Sequence, residues 1–92
     1  MFAHVVTAQA EAEGFDNLTR FVREQLPEIP KQPGFRGFYL LRDSESDKLM
    51  TISLWETTED LQASVARAAG QAGPAAAVTG LGVETYEVTM SA

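Results

Sequence analysis

The chain has 92 residues, 45% of them apolar and 22% charged, the balance of one small globular domain rather than of a disordered segment. Its net charge of −6, with lysines and arginines scattered, argues against a nucleic-acid partner and an anionic membrane surface, because no basic stripe exists to neutralise phosphates. The absence of cysteine removes disulfides, zinc–thiolate sites and thiol nucleophiles, and a single histidine, His4, excludes a two-histidine metal site within one chain.

No apolar run reaches the roughly 20 residues that span a bilayer, and the N-terminus lacks the basic and apolar segments of a signal peptide. The expectation is a cytoplasmic protein with no membrane partner, one domain over residues 1–92, no metal and no cofactor.

Residues 2–9 read as a first strand, rich in Val and Thr and stopped by Ala-Glu-Gly. An amphipathic helix follows Gly14, with Asp16 as its expected N-cap and Phe15, Leu18, Phe21, Val22, Leu26 and Ile29 on one stripe. Pro27 and Pro30 lack an N–H and clash with the preceding turn, so this helix should kink or break after Leu26. The turn at 32–34 leads into a second strand, 35–42, and a polar loop over 43–47 joins it to a third, 48–56, as in a hairpin. Thr57 is the expected N-cap of a second helix, with Glu59 and Asp60 in its first turn and Leu61, Val65 and Ala68 on its inner stripe. Gly70, Gly73 and Pro74 stop that helix, residues 75–79 offer one more helical turn, and a last strand spans 83–90. The Gly-rich stretch over 70–82 lacks the spacing of a phosphate loop and reads as a flexible connection, a candidate lid.

The order β-α-β-β-α-β predicts an α+β, ferredoxin-like domain whose two helices cover one face of an antiparallel sheet. The other face carries the argument for a partner. On the third strand Leu49, Thr51, Ser53 and Trp55 alternate with Met50, Ile52 and Leu54; on the second, Phe35, Tyr39 and Leu41 alternate with Phe38 and Leu40. A strand with one wet face alternates apolar with polar, and these do not. The sheet is therefore expected to be buried on both sides, which a homodimer pairing two sheets face to face achieves.

The Pro-Gly turn and strand PGFRGFYLLRD, followed by a strand running into Leu-Trp-Glu-Thr-Thr-Glu-Asp-Leu, resemble the antibiotic biosynthesis monooxygenase family over essentially the whole chain. The resemblance implies a dimeric α+β barrel with a pocket in each protomer between helices and sheet. It also implies activities that include cofactor-independent oxidation of aromatic polyketide phenols to quinones and, in a related branch, haem degradation. That branch uses an asparagine on the first strand, the third-strand tryptophan and a histidine ten residues after it; the corresponding positions here are Thr7, Trp55 and Val65. An aliphatic side chain cannot ligate iron. An Asn-Tyr-Arg set like that of the quinone-forming members is not found around Trp55.

The candidate catalytic residues are His4, whose ordinary pKa lies near neutrality, and Trp55, suited to wall an aromatic pocket. Thr7, Thr51, Ser53, Trp55, Leu61 and Val65 are the candidate substrate-binding residues. By alternation His4 shares a face with Phe2 and Val6 while Thr7 takes the opposite one; if Thr7 and Trp55 face the helices, His4 points into the dimer barrel. Each has a bland counterpart: a core tryptophan, tolerated hydroxyls, a structural histidine. Tyr39 and Tyr86 offer hydroxyls but read first as packing, and Arg67 is either a solvated helix charge or a counter-ion for an anionic substrate. Two functions follow: a cofactor-free monooxygenase acting on a small aromatic compound, or a non-enzymatic dimeric barrel binding a small hydrophobic ligand or a protein.

Overall fold

A computed structural model describes residues 1–43, 45–69 and 79–92 of the chain. Four strands, β1 (Phe2–Gln9), β2 (Phe35–Arg42), β3 (Lys48–Trp55) and β4 (Thr79–Glu87), and two helices, α1 (Ala12–Gln25) and α2 (Thr58–Ala69), follow the expected β-α-β-β-α-β order. The strands form one open antiparallel sheet in the order β2-β3-β1-β4. The α+β, ferredoxin-like prediction holds.

Local chemistry explains most boundaries. α1 ends at Gln25, with Leu26 as its C-cap and Pro27 beyond, and Pro30 sits in a short 3-10 turn at Ile29–Lys31. Thr57 caps α2: its Oγ1 accepts from the Asp60 N–H at 3.1 Å. Gly34 holds a positive φ of 76° in the turn before β2, where an added Cβ would collide with the Asp60 carboxylate. Its carbonyl accepts from the Glu56 N–H at 2.8 Å, so the turn is stitched to the end of β3.

Three expectations are corrected. α1 starts at Ala12 with Glu11 as an N-cap that makes no side-chain bond, so Asp16 lies inside the helix; Ala12 and Glu13 are good helix formers and Gly14 is tolerated within the first turn. Leu26, expected on the buried stripe, is 46% exposed where the helix stops. β4 begins at Thr79 rather than at 83 and ends at Glu87, because it pairs with β1 from Gln9↔Thr79 to Phe2↔Glu87 and runs out where β1 does. The stop at Gly70, Gly73 and Pro74, the side chain of Ala68 and the extra turn up to residue 78 lie outside the described residues.

Register decides what each sheet face carries. Cα partners share a face, which puts Phe2, His4, Val6 and Ala8 of β1 beside Trp55, Ser53, Thr51 and Leu49 of β3. Phe38, Leu40 and Arg42 of β2 join them. This is the helix-covered face: Ala8, Ala10 and Leu49 form a buried cluster closed by Phe15 and Leu18 of α1 and by Leu40. The Arg42 guanidinium lies 4.5 Å from the Phe15 ring centroid, shielding it by a cation–π contact. Leu61 of α2 is 1% exposed.

The opposite face carries Val5 and Thr7 of β1, Met50, Ile52 and Leu54 of β3, Tyr39 and Leu41 of β2, and Tyr86 of β4. Among the described residues no helix covers it, and Tyr39, Leu41 and Tyr86 stand 57%, 45% and 52% exposed. One predicted neighbour is missing from this face. A register shift between Phe35 and Gly37 brings Phe35 opposite Trp55, so strict alternation, which put Phe35 with Tyr39 and Leu41, fails at that bulge.

Candidate functional site

Between the helix-covered face of the sheet and the two helices lies a cavity of about 660 Å³, within the range of small-molecule sites. Its floor is the sheet: His4, Val6, Phe38, Thr51, Ser53 and Trp55. Phe21 and Val22 of α1 and Ile29 beyond it form one wall, and Ser64 and Val65 of α2 form another. Gln32, Lys31, Glu28 and Arg67 bring polar and charged groups to it. A smaller hollow of about 400 Å³ lies beside Met1, Arg36, Leu54 and Glu56, where Arg36 pairs with Glu56.

Trp55 sits at the end of β3 and is 2% exposed. Phe35 meets it edge to face, ring centroids 5.7 Å apart at 80°, a contact the bulge in β2 makes possible. The indole Nε1 is buried and has no hydrogen-bond partner among the described residues. The same holds for Nδ1 of His4. His4 faces Ser53 across the β1–β3 ladder and lies diagonally from Trp55 on the same face. Two buried nitrogens without partners among the described residues therefore belong to residues that line one cavity. An unmet buried donor or acceptor costs about 1–3 kcal/mol.

Burial lowers the His4 pKa below its ordinary value, since desolvation penalises the imidazolium. As the chain holds one histidine, its imidazole proton resonance is unambiguous. Its NMR titration midpoint is expected below about 6.5. The unfolded chain takes up this proton at a higher pH than the folded one. Stability is therefore fully present above about pH 6.5 and falls as the pH drops from there toward the folded midpoint. A midpoint at or above the ordinary value would contradict the burial.

The structure gathers His4, Thr51, Ser53, Trp55 and Val65 around one cavity and leaves two sequence candidates out. Thr7 is opposite Met50 and Gly82 on the far side of the sheet, its hydroxyl close over Gly82. The conditional placement of Thr7 with Trp55, and of His4 in a dimer barrel, is thus reversed: the β1–β3 register gives Trp55 the face of His4. Leu61 packs fully into the core and does not line the cavity. Sequence reasoning missed Ser64, which the spacing 61, 64, 65 on one helix face would have found. It also took Phe21, Val22 and Ile29 as core, whereas they line the cavity.

The sequence profile of the antibiotic biosynthesis monooxygenase family matches residues 1–74. The chain belongs to that family. Three solved structures share its fold over nearly its full length. The haem degrader MhuD of Mycobacterium tuberculosis, with two haems bound, is 23% identical at a TM-score of 0.79, covering 100% of this chain and 99% of its own. SnoaB of Streptomyces nogalater, a cofactor-independent oxygenase, is 17% identical at 0.77, with 98% and 94% covered. The protein of unknown function NE2512 from Nitrosomonas europaea is 19% identical at 0.80, with 99% and 91% covered. At these identities the likeness establishes the fold alone. Among curated protein sequences none matches. No helix among the described residues is long and apolar enough to cross a membrane.

The residues present do not fit the haem arrangement that one of these folds carries. Val65 lines the α2 wall where the resemblance calls for an iron-ligating histidine, and the described residues contain no group of three metal-holding side chains.

Proposed function

We propose that this family member is a cofactor-independent monooxygenase that binds a small planar phenol in the cavity between sheet and helices. The observation that carries the reading is the pair of unpartnered buried nitrogens, His4 Nδ1 and Trp55 Nε1, on residues of one aromatic-walled cavity. The family match and the SnoaB fold support it.

An electron-rich phenol with an oxidisable ring carbon needs little from its host beyond deprotonation, orientation and exclusion of water. His4, held neutral by burial, accepts the substrate proton. The Trp55 N–H, with the hydroxyls of Thr51 and Ser53 on the same face, stabilises the resulting oxyanion. The anion passes electrons to dioxygen, and a carbon–oxygen bond forms to give a substrate hydroperoxide. Loss of the hydrogen on that carbon as a proton, with cleavage of the O–O bond and return of the proton first taken from the phenol, leaves a carbonyl and releases one water. Each substrate consumes one dioxygen, so no external reductant is needed.

Oxygen uptake with a panel of hydroxyanthrones and hydroquinones tests this. Turnover above buffer is expected, with an acid limb below about pH 6.5 that follows the His4 midpoint. His4→Asn should lower turnover about 10²-fold or more and abolish that limb. Absence of turnover across the panel would favour the second reading, a non-enzymatic binder, which rests on His4 being the one titratable group of the sheet floor. Native mass spectrometry showing a retained apolar ligand would then support binding.

We also place the working unit in a homodimer, with the open sheet face as the contact. Its support is the uncovered set of Tyr39, Leu41 and Tyr86 around Val5 and Ile52.

A further inference from the structure

We infer that Arg67, held at the cavity by Gln32, selects substrates that carry a carboxylate on the aromatic frame. The inference rests on the reading of this cavity as the substrate site and names the class of molecule it takes.

The chain carries 13 acidic and 7 basic residues, so an anion is repelled by most of its surface. Around the cavity the balance differs. Glu28 and Lys31 pair with each other at 3.3 Å and cancel. Arg67, in the last turn of α2, donates from Nη1 to Gln32 Oε1 at 2.6 Å. Its partner is a neutral amide, and among the described residues no carboxylate lies within ion-pair distance of it. Among the described residues, the cavity lining thus carries one uncompensated positive charge.

That bond spans 35 positions of the chain and ties the last turn of α2 to the turn before β2. A guanidinium so held has lost part of its rotamer freedom before any ligand arrives, and Gln32 occupies only one of its five donors. The remaining donors suit a carboxylate, which Arg binds in a planar, two-pronged geometry. Ser64, one helical turn before Arg67, also lines the cavity. The complementary ligand is a flat hydroxylated aromatic: its ring lies among Phe21, Phe38 and Trp55, its phenol meets His4, and its carboxylate reaches Arg67.

A basic residue in the last turn of a helix also complements the helix dipole, so the test must separate recognition from that structural role. Isothermal titration of the whole protein with hydroxynaphthoate and with its methyl ester does so. The acid is expected to bind about tenfold more tightly than the ester at low salt, with the preference shrinking as ionic strength rises. Arg67→Gln should bring the ratio to about one by weakening the acid far more than the ester, whereas loss of the Gln32 bond and of the helix-end charge alone would lower the melting temperature slightly and leave the acid-to-ester ratio in place. Gln32→Glu, which supplies a competing carboxylate, should weaken acid binding in the same way. Equal affinities in the parent protein, or a preference that survives Arg67→Gln, overturns the inference while leaving the cavity as a ligand site. Binding of neither probe removes the substrate-site reading and the inference with it.

Discussion

Replacing Trp55 with alanine is expected to destabilise the protein by about 3–5 kcal/mol, the range for deleting a large buried aromatic. The side chain is 2% exposed, stacks edge to face on Phe35 and pairs across the ladder with Phe2. A small domain holds only about 5–15 kcal/mol in total, so the alanine variant loses a large share of its stability. Urea denaturation followed by circular dichroism measures it, since the chain's one tryptophan is lost as a fluorophore. A loss under about 1 kcal/mol would mean that the indole does not pack as described. Because such a variant loses function with fold, Trp55→Phe isolates the chemistry: it keeps an aromatic ring against Phe35 and removes the N–H. It should remain folded and lose about tenfold in affinity for a phenol, the worth of one hydrogen bond in a dry site. Unchanged affinity would exclude the indole N–H from ligand binding.

Ile52→Glu is expected to convert the proposed dimer of about 20 kDa, twice the 10.0 kDa chain, into a monomer. Ile52 lies in the middle of the open face, between Val5 of β1 and Tyr39 of β2. In a symmetric face-to-face pair each substitution appears twice, and an unpaired charge left in such an interface costs about 3–5 kcal/mol. Two of them raise the dissociation constant by about 10⁴-fold or more. Light scattering behind a sizing column at micromolar concentration reads the change. A parent protein already at the monomer mass would sink the homodimer and leave the exposed Tyr39, Leu41 and Tyr86 in need of another partner. The cavity lies on the other side of the sheet, so a monomeric variant that still binds phenols would show that dimerisation supports the fold rather than completing the site.

What the sequence determined by itself are the features set by local chemistry and by pattern within one element. Pro27 breaks the first helix wherever the chain is packed, because it lacks an N–H, and Thr57 caps the second because its hydroxyl reaches the N–H three residues on. The doubly apolar β2 and β3 were legible as strands needing cover on both faces, since alternation within a strand is a property of the pleat. Trp55 and Val65 were legible through the family resemblance, and the structure sets both beside the cavity.

The tertiary structure alone decided which strand faces coincide. Alternation says that His4 and Thr7 point opposite ways; only the pairing of β1 with β3 says which of them shares a face with Trp55, and a slip of one residue would reverse the answer. The bulge before Gly37 moved Phe35 onto the tryptophan for the same reason, because an extra residue flips every parity on one side of it. The Arg67–Gln32 bond joins residues 35 apart. Periodicity reaches one helix or one strand, whereas the site is made where several of them meet.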